Sequence, residues 1–254
     1  MHVEDVGTGL PLLALHGLGG GAWFFTGLAR RLTPSCRVIA VDLPGTGRSG
    51  GSTPPDLTLA GWVADLADLL AARVDGPVVI LGHSLGTILA LEAWASWPQA
   101  IRALIFVGGL PEPRPLIRER LALRADAVAR TGLDGVGPSA ATANFARATL
   151  ERQPELVGLF ERLFESQDAA TYVRWCNLLI DASATSIVPT VRVPCLSVSG
   201  TEDQYAPPEL VTAFVGELPL PCRQDLLEEC GHLPFLEQPA RFAALVKSFL
   251  DTLC

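Results

Sequence analysis

The sequence predicts an α/β fold: a mostly parallel central sheet with flanking helices, interrupted late by a purely helical segment. Three observations predict it. Short apolar runs alternate with helically spaced stretches over residues 10–107 and again over 195–252, and strand–helix alternation builds a parallel sheet through crossover connections. Residues 113–188 show apolar residues at helical spacing and no strand pattern. With 49% hydrophobic and 18% charged residues among 254, the chain can bury the core of one large α/β domain.

The strands expected in order are Leu10–Leu15, Arg37–Val41, Val78–Leu81, Ala103–Val107, Cys195–Ser199 and Cys222–Leu227, with none before Leu10. Helices are expected over 21–32, 57–73, 85–97, 207–216 and 239–252. Asp56 or Thr58 can cap the second of these, and Pro98 ends the third. The segment 113–188 carries three helical stripes: Ile117, Leu121, Ala125, Val128; then Leu156, Leu159, Phe160, Leu163, Phe164; then Tyr172, Trp175, Cys176, Leu179. The expected organisation is a core of residues 1–112 and 189–254 with a cap, 113–188, packed over one end of the sheet.

Bulk properties exclude several classes. The formal net charge of −8 argues against nucleic acid and against an anionic membrane surface as partners. No apolar run approaches the roughly eighteen residues of a membrane span, and the first residues, Met1-His-Val-Glu-Asp-Val6, do not read as a signal peptide. A cytoplasmic protein acting on a small molecule is expected, with its oligomeric state open. Lys247 is the only lysine, which disfavours Schiff-base chemistry. Cys36, Cys176, Cys195, Cys222, Cys230 and Cys254 form no Cys-x-x-Cys and are expected to be reduced. Four scattered histidines give no metal cluster, so neither a metal nor a cofactor is expected.

The most informative stretch is Gly82-His83-Ser84-Leu85-Gly86, between the apolar run Pro77–Leu81 and the helix that follows. Strand, Gly-x-Ser-x-Gly, helix is the context of a nucleophile elbow. Its turn is so tight that the serine takes strained angles, and glycines two residues either side let strand and helix pass closely. Ser84 is the candidate nucleophile. A serine hydroxyl needs a base. His2 is close to the terminus, His83 adjoins Ser84 and should point away from it, and His16 ends a strand where it would support a loop. His232, in Cys230-Gly231-His232-Leu233-Pro234 between the last strand and the last helix, is the candidate base. Asp203, in the loop after strand 195–199, is the candidate acid that orients His232; Glu202 should face solvent, and Glu112 is a competing acid position. The order Ser84…Asp203…His232 is nucleophile, acid, base. An oxyanion needs two donors, expected from the backbone N–H groups of Leu85 and, in the loop His16–Gly21, of Leu18.

These motifs together resemble the α/β-hydrolase family over nearly the whole chain: His16-Gly17 with its glycines, Asp42-Leu-Pro-Gly45-Thr-Gly47-Arg-Ser49, Gly82–Gly86, Gly200-Thr-Glu-Asp203, and Gly231-His232 leading to Glu237-Gln-Pro239. Asp42 and Arg48 would tie loops together. Within the family the chain is similar to 3-oxoadipate enol-lactonases and related small esterases and lactonases, on the stretches Arg124–Leu133 and Tyr172–Cys176. It departs from them at Asn144, which precedes Phe145 where lactonases tend to carry tryptophan, and at Arg174-Trp175, which replace small residues. The resemblance implies a cofactor-independent serine hydrolase acting on a small carboxylic ester or lactone. An enol-lactonase proper, or a carbon–carbon hydrolase or lyase with the same triad, is the alternative.

Trp23, Arg174 and Trp175 are the candidate substrate-binding side chains. Trp175 lies on the Tyr172–Cys176–Leu179 stripe, so packing within the cap competes with a place in the pocket wall. Arg174 points about 100° away from it on a helix and would hold a substrate carboxylate if it faced the site. A dinucleotide reading also competes: Gly17-x-Gly19-x-x-Ala22 follows a strand and opens a helix, and Asp42 ends the next strand. It leaves Ser84, Asp203 and His232 unexplained. A non-catalytic ligand receptor on the same scaffold is the remaining class.

Overall fold

The computed structural model describes residues 1–50 and 56–253, so Cys254 lies outside the described residues. The chain runs through β1 (Val3–Val6), β2 (Leu10–Leu15), α1 (Thr26–Leu32), β3 (Cys36–Val41), α2 (Leu59–Ala71), β4 (Val78–His83), α3 (Leu85–Ser96) and β5 (Ile101–Val107). Five helices follow: α4 (Pro115–Thr131), α5 (Gly137–Asn144), α6 (Arg147–Arg152), α7 (Pro154–Glu165) and α8 (Ala169–Asp181). The sheet resumes with β6 (Cys195–Gly200), α9 (Pro208–Gly216) and β7 (Cys222–Leu227), followed by α10 (Pro234–Glu237), α11 (Pro239–Leu250) and a 3-10 turn, Asp251–Leu253. No described helix is long and apolar enough to cross a membrane.

Among the described residues seven strands form one sheet in the order β1-β3-β2-β4-β5-β6-β7, parallel except for β1. The order reverses between β2 and β4, because the chain steps from β2 out to β3 and then returns past β2 to β4. Right-handed crossovers therefore send α1 to one face and α2 and α3 to the other. The packing agrees, with α1 against α11 and α2 against α3. A crevice opens beyond the carboxyl ends of the strands at such a reversal point. The loop after β2 and the turn after β4 both lead into it.

The expected helices form with modest changes at their ends. The Thr58 hydroxyl accepts the Gly61 N–H at 3.0 Å and caps α2, while α3 stops at Ser96, ahead of Pro98. The first expected helix begins as a 3-10 turn, Ala22–Phe25, before α1. One expectation fails. A strand does precede Leu10: β1 pairs antiparallel with β3, Val3 opposite Val41 and Val6 opposite Val38. It is an edge strand with a polar sequence, pinned by the Asp5–Arg37 ion pair at 2.7 Å, so hydrophobic patterning does not announce it. His2 is tied down with it, its carbonyl accepting the Asp42 N–H at 3.1 Å.

Between β5 and β6 the described residues form helices only, as their spacing predicts. α4 packs on α8 and α5 on α7. Ile117, Leu121, Ala125 and Val128 of α4 are buried, as are Tyr172, Trp175, Cys176 and Leu179 of α8. On α7 the buried positions are Phe160 and Phe164, whereas Leu159 is exposed.

Candidate active site

Ser84 stands between β4 and α3 at φ 52°, ψ −116°, a left-handed conformation that costs a non-glycine residue energy. The flanking glycines make this turn possible. A Cβ on Gly82 would run into the carbonyl of Gly86, and one on Gly86 into the carbonyl of Leu15. Any side chain at either position would push the helix off the strand or off β2. Leu85, the first residue of α3, has a backbone N–H with no partner inside the helix.

His232 and Asp203 meet on neighbouring loops. The His232 Nδ1 lies 2.8 Å from Asp203 Oδ2, and both side chains are buried. The other Asp203 oxygen accepts the N–H groups of Tyr205 and Ala206 at 2.8 and 2.9 Å. The carboxylate is thereby locked with one oxygen on the imidazole, which fixes the proton on Nδ1 and leaves Nε2 as the basic nitrogen. Gly108, just after β5 at φ 51°, makes room for this pair: a Cβ there would sit 2.9 Å from Asp203 Oδ2 and 3.0 Å from His232 Nδ1. The competing acids lie elsewhere. Glu112 pairs with Arg118 at 3.0 Å, and exposed Glu202 accepts the Arg147 N–H at 2.9 Å.

The remaining histidines hold loops. Leu43 donates its N–H to His16 Nε2 at 3.0 Å, and burial pushes the His16 pKa down. His83 is more central than its place beside Ser84 suggests. Its Nδ1 accepts the Gly17 N–H at 3.2 Å and its Nε2 lies 3.0 Å from the His232 carbonyl. Asp42 accepts the N–H groups of Ala22 at 2.6 Å and Arg48 at 2.7 Å. Its carboxylate is thus spent inside the protein, between the two glycine loops, and is not turned to a ribose. The dinucleotide-like spacing is a loop-tying device here.

Ser84, His232, Leu18 and Leu85 line one cavity of about 680 Å³, part of it open to solvent. Its walls are mostly apolar, with Leu18, Leu85, Ile88 and Leu110 on the side of the sheet and Ile117, Leu121, Phe164 and Leu179 from the helices between β5 and β6. None of the three candidate substrate-binding side chains is in this wall. Trp23 borders a separate hollow with Gly20 and Gln167. Trp175 is buried and donates its indole N–H to the Pro44 carbonyl at 3.0 Å, so it packs the insertion onto the core. Arg174 lies in a groove with Leu59, Asn177 and Asp181. The cation in the cavity wall is Arg124 of α4, three residues beyond Leu121. A charge at that spacing on an apolar stripe is a signal legible in the sequence.

Glu237 is a second residue the motifs contain but do not explain. Its Oε2 accepts the Ala146 N–H at 2.8 Å and the Thr149 hydroxyl at 2.7 Å, and its Oε1 accepts the Gly231 N–H at 2.8 Å. Burial raises its pKa against the pull of these donors. It fastens the loop of His232 to the start of α6, and the His232 N–H adds a bond to the Asn144 carbonyl at 2.7 Å.

The model of the alpha/beta hydrolase family matches residues 12–245. The chain belongs to that family. It is 32% identical over 96% of its length to the polyketide synthase ThaQ of Burkholderia thailandensis, of which it spans 12%. A thermophilic esterase from Thermogutta terrifontis superposes with a TM-score of 0.92 at 25% identity, covering 99% of this chain and 93% of that one. The enol-lactonase of Burkholderia xenovorans shares the fold, with a TM-score of 0.88 at 20% identity over 98% and 96% of the two chains.

Proposed function

We propose that this hydrolase cleaves a small carboxylic ester or lactone through a serine-bound acyl intermediate. One observation carries the reading: a buried Asp203–His232 pair, 2.8 Å apart, borders the same cavity as a serine held on a strained elbow. The similarity to the Thermogutta esterase supports the ester class.

In this reading Ser84 Oγ attacks the carbonyl carbon while its proton passes to His232 Nε2. The oxyanion that forms takes the N–H groups of Leu18 and Leu85, at the positive end of α3. Collapse breaks the acyl–oxygen bond, and the leaving alkoxide takes the proton back from His232; in a lactone it stays attached to the acyl chain. Water then attacks the acyl-serine, giving its proton to His232, and the second collapse frees the acid and restores Ser84. Asp203 holds the imidazole upright and balances its charge. Residues 113–188 act as a cap whose side chains shape the acyl pocket. A fluorophosphonate probe tests the assignment: mass spectrometry should find the label on Ser84 alone, with parallel loss of ester hydrolysis. Label on another residue, or full activity after labelling, refutes it.

A further inference from the structure

Among the described residues, Arg124 is the one guanidinium lining this mostly apolar cavity, on the same helical stripe as Ile117 and Leu121. Two nearby arginines, Arg114 just before α4 and Arg118 on it, make hydrogen bonds to the protein. Arg114 donates to the Gln204 carbonyl at 2.7 Å, and Arg118 to Glu112 at 3.0 Å and to the Pro113 and Ile180 carbonyls. Glu112, the acid that also borders the cavity, is held by that pairing. Among the described residues no carboxylate pairs with Arg124. The groups beside its guanidinium are the phenol oxygens of Tyr205 and Tyr172, and the buried Tyr172 oxygen makes no hydrogen bond of good geometry. A guanidinium has five N–H donors in a planar fork, and donors left unspent in an apolar pocket are costly. Two phenols do not use that fork; a carboxylate, bound through both oxygens, does.

The position fixes which part of a substrate would meet it. The Tyr205 ring lies 4.8 Å from the His232 ring, and its phenol oxygen lies beside Arg124. One aromatic side chain therefore neighbours both the cation and the candidate base, and all three line the same cavity. The geometry points to Arg124 as the anchor of a second, free carboxylate on the substrate, a few bonds from the scissile carbonyl, so that the preferred substrates are half-esters or lactones of short dicarboxylic acids. This rests on the ester and lactone reading of Ser84 and His232, and it replaces Arg174, which lies in another groove.

The test compares monoethyl glutarate with ethyl pentanoate, each followed by acid release. The wild type should prefer the acidic ester. Arg124→Met should cut the ratio of the two kcat/KM values by about 10- to 100-fold, mainly through KM, the range of a charge-assisted hydrogen bond. Arg124→Lys should recover part of the ratio. An unchanged ratio, or equal losses on both esters, overturns the anchor. Two measurements keep the anchor separate from the reaction. In calorimetry, glutarate should bind the wild type and not Arg124→Met, even if neither ester is cleaved; that outcome would sink the ester reading and keep the anchor. Should Arg124→Met not fold, wild type decides alone: binding of glutarate but not of its neutral diamide supports the anchor, and no binding of glutarate overturns it.

Discussion

The Nε2 of His83 lies 3.0 Å from the carbonyl oxygen of His232, while its Nδ1 accepts the Gly17 N–H at 3.2 Å. One imidazole thus spans the loop of the candidate base and the loop that carries the candidate oxyanion donor Leu18. Because Nδ1 accepts, the proton sits on Nε2 and donates to the carbonyl, so only the neutral form serves both loops.

His83→Ala should lower kcat about 10- to 100-fold with little change in KM, since small misplacements of reacting groups cost rates of that order. Asn at 83 can offer an acceptor to Gly17 and Gln a donor to His232, so each should restore part of kcat. A loss confined to KM, or no recovery by either, would show that His83 does not position the two loops.

Acid should destabilise the fold through His83 and His16. Burial drives the His83 pKa well below its ordinary 6.5, helped by the nearby His232, and burial lowers that of His16. Below pH 6.5 the unfolded chain takes up protons that the folded chain refuses. Stability is therefore full above about 6.5 and falls with pH below it, by up to about 1.4 kcal/mol per pH unit for each group. His83→Gln should flatten the fall of Tm between pH 6.5 and 5. An unaltered slope would remove His83 from the account.

Ser84→Ala and Ser84→Gly should both lose hydrolysis by about 10⁴- to 10⁶-fold, yet differ in stability. The serine sits at φ 52°. Glycine relieves about 1–3 kcal/mol of strain that alanine keeps, less about 0.5–1 kcal/mol of added chain entropy. Ser84→Gly should melt above Ser84→Ala; the opposite order would mean that the turn is not strained.

Asp203→Asn should cut kcat by about 10⁴-fold, because an amide cannot accept from Nδ1 while its other atom faces the Tyr205 and Ala206 N–H groups. Glu202→Gln should leave the rate within a few-fold. Glu112→Gln bears on the Arg118 pairing and not on His232, so a collapse of kcat in Glu112→Gln alone would relocate the acid.

The parts legible in the sequence are those where chemistry and backbone demand coincide. Gly82, Ser84 and Gly86 announce the elbow because close approach leaves no choice of residue. Asp203 and His232 follow from the loops at strand ends. What escaped depends on partners distant in sequence. β1 is invisible because Glu4 and Asp5 break its pattern and its partner β3 supplies its order. His83 looks like a bystander until Gly17 and His232 arrive on either side. Arg174 is a carboxylate anchor only if it faces the site, and one residue along a helix turns a side chain by about 100°; it lies in another groove. Arg124 falls in register with Ile117 and Leu121, a legible pattern, but no local count reveals which arginine has no carboxylate beside it.

Glu237 has a consequence for redesign. Its two oxygens hold Ala146 and Thr149 with one hand and Gly231 with the other, so the insertion and the loop of His232 share a fastening. Exchanging the whole segment 113–188 for a relative's would transplant half of a joint. A graft that stops short of Asn144 would keep the clasp and change only the walls; one that crosses it would reset the angle of the imidazole together with the shape of the pocket. Selectivity in this hydrolase is therefore best varied from α4 and α8, whose exchange leaves that seam closed.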